Sequence, residues 1–135
     1  MAYVRLLSAV LLLSTVAFAE VAWVKTYDDA LKQAASQKKF VVLDMSASWC
    51  GFCRRMARDV YPSQEFVDYS RKHVFVRILA DTDPQGEELA VKYRVEGFPT
   101  ILVLDSKGTE VGRVVGARPV ARLIQELDQI TQRAR

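Results

Sequence analysis

The chain contains two cysteines, Cys50 and Cys53, which lie three positions apart. At this spacing two side chains sit one helical turn from each other, near enough for their sulfurs to form a disulfide. So short a loop constrains the unfolded chain very little, so the bond suits reversible exchange better than stabilisation of a fold. If Cys50 starts a helix, unpaired N–H groups and the positive end of the helix dipole favour its thiolate form. The pattern therefore predicts thiol–disulfide exchange.

Metal binding is a weaker interpretation of the same pair. A tetrahedral zinc site needs four ligands, and the chain offers two cysteines and one histidine. Haem attachment needs a histidine directly after the second cysteine, where this chain has Arg54. A Cu(I)-binding module that uses both thiolates stays open as an alternative, although the nearby Met45 and Met56 fit core packing. We expect neither a bound metal nor another cofactor.

The elements that must position the cysteines follow from the apolar pattern. The run Phe40–Leu43 predicts a strand that is buried on both faces, and the cysteine pair follows in the loop after it. Periodicity and Pro or Gly positions predict further strands at 74–79, 100–104 and 110–115, and helices at 27–35, 51–61, 64–69, 83–93 and 119–130.

This order predicts an α/β fold with one mixed central sheet and helices on both faces. Because strands joined through helices are expected to run parallel, only the last two strands, joined by a hairpin at Lys107–Gly108, are predicted to be antiparallel. In such sheets reactive groups lie beyond the carboxyl ends of central strands, which is where Cys50 is expected.

The N-terminal residues 1–19 are typical of a secretory signal. Arg5 supplies a positive charge, residues 6–18 form a short apolar run, and Ala17–Ala19 has the small residues that a signal peptidase reads. The run would rise only about 20 Å as a helix, less than the roughly 30 Å of a hydrocarbon core, so an uncleaved anchor is the lesser alternative. We predict cleavage after Ala19, one domain at 20–135 and a periplasmic or secreted location, where disulfides persist.

Charge and length restrict the partners. The formal net charge is +3, and the basic residues are spread along the chain without a long run, so a nucleic-acid-binding surface is not expected. The remaining chain is long enough for one hydrophobic core and shows no internal repeat. We expect a monomeric, single-domain protein.

Three separated features carry a family resemblance. Trp49–Cys53 reads Trp-Cys-Gly-Phe-Cys, Asp44 lies six positions before Cys50, and Gly97–Thr100 reads Gly-Phe-Pro-Thr. Together they resemble the thioredoxin superfamily over residues 20–135. The chain is similar to exported single-domain thioredoxin-like proteins and to the C-terminal periplasmic domain of the membrane-embedded thiol:disulfide interchange protein. The resemblance implies a thioredoxin fold and a thiol–disulfide oxidoreductase.

The resemblance also implies roles for the site residues. Cys50 would be the exposed attacking thiolate and Cys53 the buried resolving thiol. Asp44 follows an apolar run, where a carboxylate is costly unless it has a task or a partner. It would relay a proton to and from Cys53. If the carboxylate is unpaired, its removal is expected to raise stability by about 1–3 kcal/mol.

Substrate binding is expected beside the disulfide. Pro99 would form a cis peptide bond facing the sulfurs, and the Phe98 backbone would pair with an extended substrate chain. Trp49 would shield the site, and the residues between the cysteines, Gly51 and Phe52, would contact the substrate. The partners implied are proteins with disulfides or thiols.

The direction of electron flow stays open at Phe52, because thioredoxins carry proline at that position. Strongly oxidising exported relatives carry a helical insertion, whereas only seventeen residues separate Asp81 from Pro99 here. This favours a reductase or electron relay over a thiol oxidase of the same fold. A reductase outside the cytosol would need a membrane-bound thiol reductase as its electron donor, because such compartments lack a reducing glutathione pool.

The single histidine and the arginines after the cysteine pair are interpreted as structural residues rather than as catalytic ones. His73, the single histidine, is predicted to be a surface residue at a strand start and not a catalytic base. Arg54, Arg55 and Arg58 follow the cysteine pair on the predicted helix. Although Arg54 could stabilise a Cys50 thiolate, a solvated helix face is the preferred interpretation.

Overall fold

The computed structural model describes residues 17–135, which form five strands and five helices. Residues 1–16 carry most of the predicted signal segment and lie outside the described residues. The elements are β1 (Trp23–Val24), α1 (Tyr27–Gln37), β2 (Val41–Ser46), α2 (Gly51–Asp59), α3 (Gln64–Ser70), β3 (Val74–Leu79), α4 (Gly86–Lys92), β4 (Thr100–Leu104), β5 (Glu110–Val115) and α5 (Val120–Arg133). Within residues 17–135, no helix combines the length and the apolar character needed to cross a bilayer.

The five strands form one mixed sheet in the order β1-β3-β2-β4-β5. Strand β2 is central, and all six of its residues are buried. The predicted buried strand at Phe40–Leu43 is therefore confirmed in kind, but it begins one residue later and continues to Ser46. Helices cover both faces, so the predicted α/β class with a mixed central sheet is confirmed. The two-residue strand β1 is not among the predicted elements, because it is too short to show a periodic pattern.

The predicted direction of β4 is wrong. Strand β4 runs antiparallel to β2 as well as to β5, although α4 precedes it. The reason is length: the seven residues of α4 rise about 10 Å, whereas the six residues of β3 span about 20 Å. The chain therefore does not return to the start of β3. It enters β4 at the same end of the sheet where β2 and β3 finish, which brings Pro99 to the edge that holds Cys50.

Alternation along β2 separates two hydrophobic cores. Leu43 and Met45 point to the layer of α1 and α4. Val42 points to the opposite layer, formed by α2, α3 and α5, which includes Phe66 and Leu127. Asp44 shares the face of Val42 because side chains two positions apart in a strand lie on one side. The carboxylate therefore projects toward the layer that contains Cys53.

Helix boundaries follow local chemistry. The Thr26 hydroxyl accepts a hydrogen bond from the Asp29 N–H at 3.1 Å and caps α1. Helix α2 ends at Asp59 rather than at the predicted Tyr61. Pro62 disfavours helical backbone at the residue before it, so Tyr61 does not continue the helix. Helix α4 begins at Gly86 rather than at residue 83.

His73 is buried, so the prediction of a surface residue is wrong. Only 6% of its surface is exposed, and its ring lies 6.1 Å from that of Phe40 and 5.6 Å from that of Tyr69. Neither ring nitrogen has a hydrogen-bond partner among the described residues. His73 directly precedes β3, at the end of the sheet opposite Cys50. Its position there is consistent with the prediction that it is not a catalytic base.

Candidate active site

Cys50 is the N-cap residue of α2, as its predicted place at a helix start requires. Its Sγ accepts a hydrogen bond from the backbone N–H of Cys53 at 3.2 Å. The two residues form a disulfide across the first turn, with their Cα atoms 5.3 Å apart. When the disulfide opens, the same N–H group and the helix dipole are placed to stabilise a thiolate on Cys50.

Burial does not distinguish the two cysteines in the disulfide form. Cys50 is 4% exposed and Cys53 is 7% exposed. The expectation of an exposed first cysteine is therefore wrong for this state, because Phe98 and Ala47 pack against the pair. The difference between the two sulfurs lies in their surroundings: the Cys50 Sγ faces the helix N-terminus, whereas Cys53 lines a groove at the side of α2.

An aromatic rim surrounds the disulfide. Trp49 is 67% exposed and Phe52 is 58% exposed, which is unusual for such large apolar side chains. Trp49 and the half-buried Phe98 meet edge to face, with ring centroids 5.8 Å apart. The Phe98–Pro99 peptide bond is cis. All the residues that the sequence proposed for substrate contact, namely Trp49, Gly51, Phe52, Phe98 and Pro99, lie at this end of the sheet.

Two arginines flank the rim. Arg54 donates through Nη1 to the Ser48 carbonyl at 3.1 Å, so it holds the loop before Cys50. The Arg55 guanidinium lies 5.5 Å from the centroid of the Phe52 ring, at a cation–π distance. Arg54 and Arg55 belong to the helix face that was predicted to be solvated, and these contacts give both side chains a local structural role.

Asp81, two residues after the end of β3, holds the same loop and was missed by the sequence analysis. Its carboxylate accepts hydrogen bonds from the Ser48 hydroxyl and from the Ser48 N–H, the latter at 3.0 Å. The side-chain hydrogen bond, followed by the backbone one, lowers the pKa of Asp81. Adjacent parallel strands end at one edge of a sheet, and that rule could have placed Asp81 beside the loop that leads to Cys50.

Asp44 is 2% exposed and has three hydrogen-bond donors. Its Oδ2 accepts from the Tyr61 hydroxyl at 2.9 Å and from Arg77 Nε at 3.0 Å, and its Oδ1 accepts from the Ser46 hydroxyl at 3.0 Å. The premise of an unpaired carboxylate is therefore wrong. Burial, and next the charge of Asp44, raises the pKa of Tyr61 well above its usual value, so Tyr61 stays a donor.

Arg77 is the second residue that the sequence analysis missed. Its guanidinium carbon lies 4.4 Å from the Trp23 ring centroid and 4.8 Å from that of Tyr61, so two aromatic rings hold the cation. The signal was available: a cation inside the otherwise apolar run Val74–Leu79 requires a buried partner. The sequence could not show that this partner is Asp44, 33 positions earlier.

Metal-ligating side chains do not gather in the described part of the chain. Among residues 17–135, no group of three or more His, Cys, Asp or Glu side chains is placed to hold a metal ion. The chemistry that the described residues supply is that of two sulfurs at a helix N-terminus, with a buried carboxylate network in the layer behind them.

Comparison with known proteins agrees with this geometry. The model of the thioredoxin-like domain family matches residues 27–131. The chloroplastic thioredoxin-like protein HCF164 of Arabidopsis thaliana is 34% identical over 99 residues, which are 73% of this chain and 37% of that protein. A thioredoxin structure from Thermus thermophilus superposes with a TM-score of 0.71 at 32% identity, over 79% of this chain and 85% of that one. The oxidised C-terminal domain of Neisseria meningitidis DsbD superposes with a TM-score of 0.60 at 28% identity, over 76% and 87%.

The chain therefore belongs to the thioredoxin-like domain family. Fold, disulfide and relatives agree that it is a thiol–disulfide oxidoreductase of the thioredoxin superfamily. It spans about a third of the length of HCF164, so the activity of that whole protein does not transfer with the similarity.

Proposed function

We propose that the protein reduces disulfides in other proteins, or relays electrons to them, in an exported compartment. The observation that carries the proposal is the Cys50–Cys53 disulfide at the N-terminus of α2, whose sequence neighbours Trp49 and Phe52 have exposed rings. The two cysteines are themselves 4% and 7% exposed, so the exposed rings beside them offer the surface on which another polypeptide docks. The short loop of the disulfide lets it open without unfolding the domain.

Cys50 acts as the nucleophile in this proposal. Its Sγ already accepts the Cys53 N–H and lies at the positive end of α2, so a negative charge on this sulfur is stabilised. Cys50 attacks the substrate disulfide and forms a mixed disulfide, which releases one substrate thiolate. Cys53 then attacks Cys50 Sγ, which reforms the disulfide and releases the second substrate thiolate.

The substrate chain binds in an extended form beside Phe98. The backbone N–H and C=O of Phe98 make no hydrogen bond to any residue in 17–135, although they lie next to the paired strand β4. Unpaired backbone groups beside a strand can take an additional strand, and this pairing is indifferent to substrate sequence. The rings of Trp49, Phe52 and Phe98 then supply apolar contact.

Gly51 keeps the space above the disulfide clear. A Cβ at this position would meet nothing closer than Arg54 Nη2 at 3.9 Å, so the fold itself does not require glycine. Access for the substrate does favour it, because the position is exposed in the first turn of α2, directly after Cys50. Gly51 therefore belongs to the substrate site rather than to the core.

Two observations support the proposed direction of electron flow and the proposed electron donor. The segment between β3 and β4 contains only the short α4, so the domain lacks a helical insertion at that point. The similarity to the DsbD C-terminal domain favours a membrane-bound thiol reductase as the electron donor. Both favour reduction, and the predicted signal at residues 1–19 favours the periplasm or secretion.

Trapping tests the proposed cysteine roles. In Cys53→Ala, mixed disulfides between Cys50 and substrate proteins should accumulate, because the resolving thiol is missing. In Cys50→Ala they should not. Non-reducing gels followed by mass spectrometry identify the linked cysteine. Adducts that form only through Cys53 would reverse the assignment, and adducts through neither would contradict the proposed function.

Equilibration with glutathione buffers tests the direction. A reduction potential of about −270 mV, as in thioredoxin, supports a reductase, whereas one of about −120 mV identifies a thiol oxidase. Competitive Cu(I) titration belongs in the same series, since tight copper binding with inert thiols would favour the metal-binding alternative. The intact mass of the protein from its native host tests cleavage after Ala19.

A further inference from the structure

Cys53 lines a groove on the side of α2 that the substrate site does not use. The groove has a volume of about 130 Å³ and is lined by Ser46, Ala57, Arg77 and Arg54, among others, whereas Cys50 takes no part in it. A water molecule occupies roughly 30 Å³ in the liquid, so several fit. The small side chains at positions 46 and 57 leave this space open between β2 and α2.

Ser46 connects this groove with the buried carboxylate. Asp44 does not line the groove, yet Ser46 does, and its hydroxyl donates to Asp44 Oδ1 at 3.0 Å. Ser46 is 2% exposed, so its hydroxyl has few other partners. A hydroxyl can donate and accept at once, which lets it pass a proton between a carboxylate and water.

Two guanidinium groups line the groove together with Cys53. Arg77 and Arg54 both line the groove, and Arg77 Nη2 is buried without a hydrogen-bond partner among residues 17–135. The Asp81 carboxylate accepts two hydrogen bonds from Ser48, a residue at the edge of the groove. Tyr61 donates to the other oxygen of Asp44.

We propose that this groove is a lateral entrance to Cys53, and that Ser46 passes protons between the groove and Asp44. The proposal rests on the resolving role of Cys53 given above. In the resolving step the Cys53 proton moves through groove water to Ser46, whose own proton moves to Asp44. The Cys53 thiolate attacks Cys50 Sγ, the Cys50–Cys53 bond forms, and the substrate leaves as a thiolate with the electron pair of the broken bond. The cysteine pair is oxidised by two electrons and the substrate is reduced.

Alkylation measures the entrance without any substrate protein. In the Cys50→Ser background, Cys53 is the one remaining thiol, and its reaction with iodoacetamide reports access. Ala57→Leu fills the groove and should slow alkylation by about tenfold, equivalent to about 1.4 kcal/mol in the barrier, relative to the control Ala57→Ser, which adds only one hydroxyl group. A merely loosened fold would instead speed alkylation. Ala57→Val provides a milder filling if Ala57→Leu does not fold, and an unchanged or raised rate in the folded variant overturns the entrance.

A double-mutant cycle tests Ser46. The rate at which a substrate is released from its mixed disulfide with Cys50 is measured by stopped flow. This rate should be lower in Ser46→Ala at neutral pH. The difference in rate should vanish at high pH, where hydroxide removes the Cys53 proton directly. In Asp44→Asn the same Ser46 substitution should have no further effect, because both act on one proton path. Ser70→Ala is the control, since this buried hydroxyl donates to the Val67 carbonyl, on α3.

Additive losses in the double variant, or an unchanged rate in Ser46→Ala, would overturn the relay through Ser46. Failure of the proposed function is distinguishable, because it would appear as an absence of mixed disulfides in the trapping experiment while the alkylation rates remained measurable.

Discussion

At the scale of single residues, Asp44 shows what the sequence reveals and what it conceals. Its place six positions before Cys50 and after an apolar run predicted a buried carboxylate near the site, and the structure buries it. Its partners could not be predicted, because Tyr61 and Arg77 lie 17 and 33 positions away and meet it only through the sheet and α2 packing. A carboxylate with three donors stabilises the layer that it occupies.

Asp44→Asn should therefore lower stability, by about 1–3 kcal/mol, which reverses the sign expected for an unpaired carboxylate. The amide keeps an acceptor for Tyr61 or Ser46 but leaves the Arg77 charge without its counterion. Urea denaturation at pH 7 measures the change. The relay predicts in addition a slower resolving step whose loss shrinks as pH rises. A destabilised variant with unchanged exchange kinetics would show that Asp44 is structural only.

At the scale of elements, local signals defined most boundaries. The predicted bounds of β3, β4 and β5 are those of the structure, because apolar runs there end at Gly, Asp or polar turns. The direction of β4 was not predictable from such signals. The direction of β4 depends on how far α4 carries the chain back along β3. That distance depends in turn on where α4 begins relative to the end of β3.

Gly86, the first residue of α4, lets the helix begin close against the end of β3. A Cβ at Gly86 would lie 2.4 Å from the Leu79 carbonyl oxygen and 2.6 Å from that of Ala80, both backbone atoms that cannot move aside independently. Gly86→Ala should cost about 1–3 kcal/mol of unfolding free energy, although alanine favours helices. Gly97→Ala is the matched control, since nothing lies within 4 Å of its Cβ. Equal stabilities of the two variants would refute the close approach of α4 to β3.

At the scale of the whole molecule, the sheet has a redox end and a structural end. Cys50, Cys53 and Pro99 lie beyond the carboxyl end of β2, whereas His73 is buried at the opposite end, before β3. Proximity to a strand start suggested a surface position for His73, but the aromatic side chains of Phe40 and Tyr69 enclose it. The two ends should therefore respond to pH separately.

Burial lowers the pKa of His73 to about 4, below the value of about 6.5 expected in the unfolded chain. Between these two values the unfolded chain binds the extra proton, so stability is lost as pH falls from about 6.5 to about 4, by at most about 3 kcal/mol. Carboxylates with a lowered pKa, such as Asp81, lose their contribution only at lower pH.

His73→Phe should remove this dependence, because it fills the aromatic site with a ring that does not titrate. Urea midpoints measured from pH 4.5 to 7 should fall toward acid in the parent protein and stay nearly level in the variant. The pH profile of disulfide exchange, measured on folded protein, should be the same in both, since the cysteines lie at the other end of the sheet. If the urea midpoint of His73→Phe falls toward acid as much as that of the parent protein, the titrating group is another residue. If the pH profile of disulfide exchange changes in the variant, the two ends of the sheet are coupled.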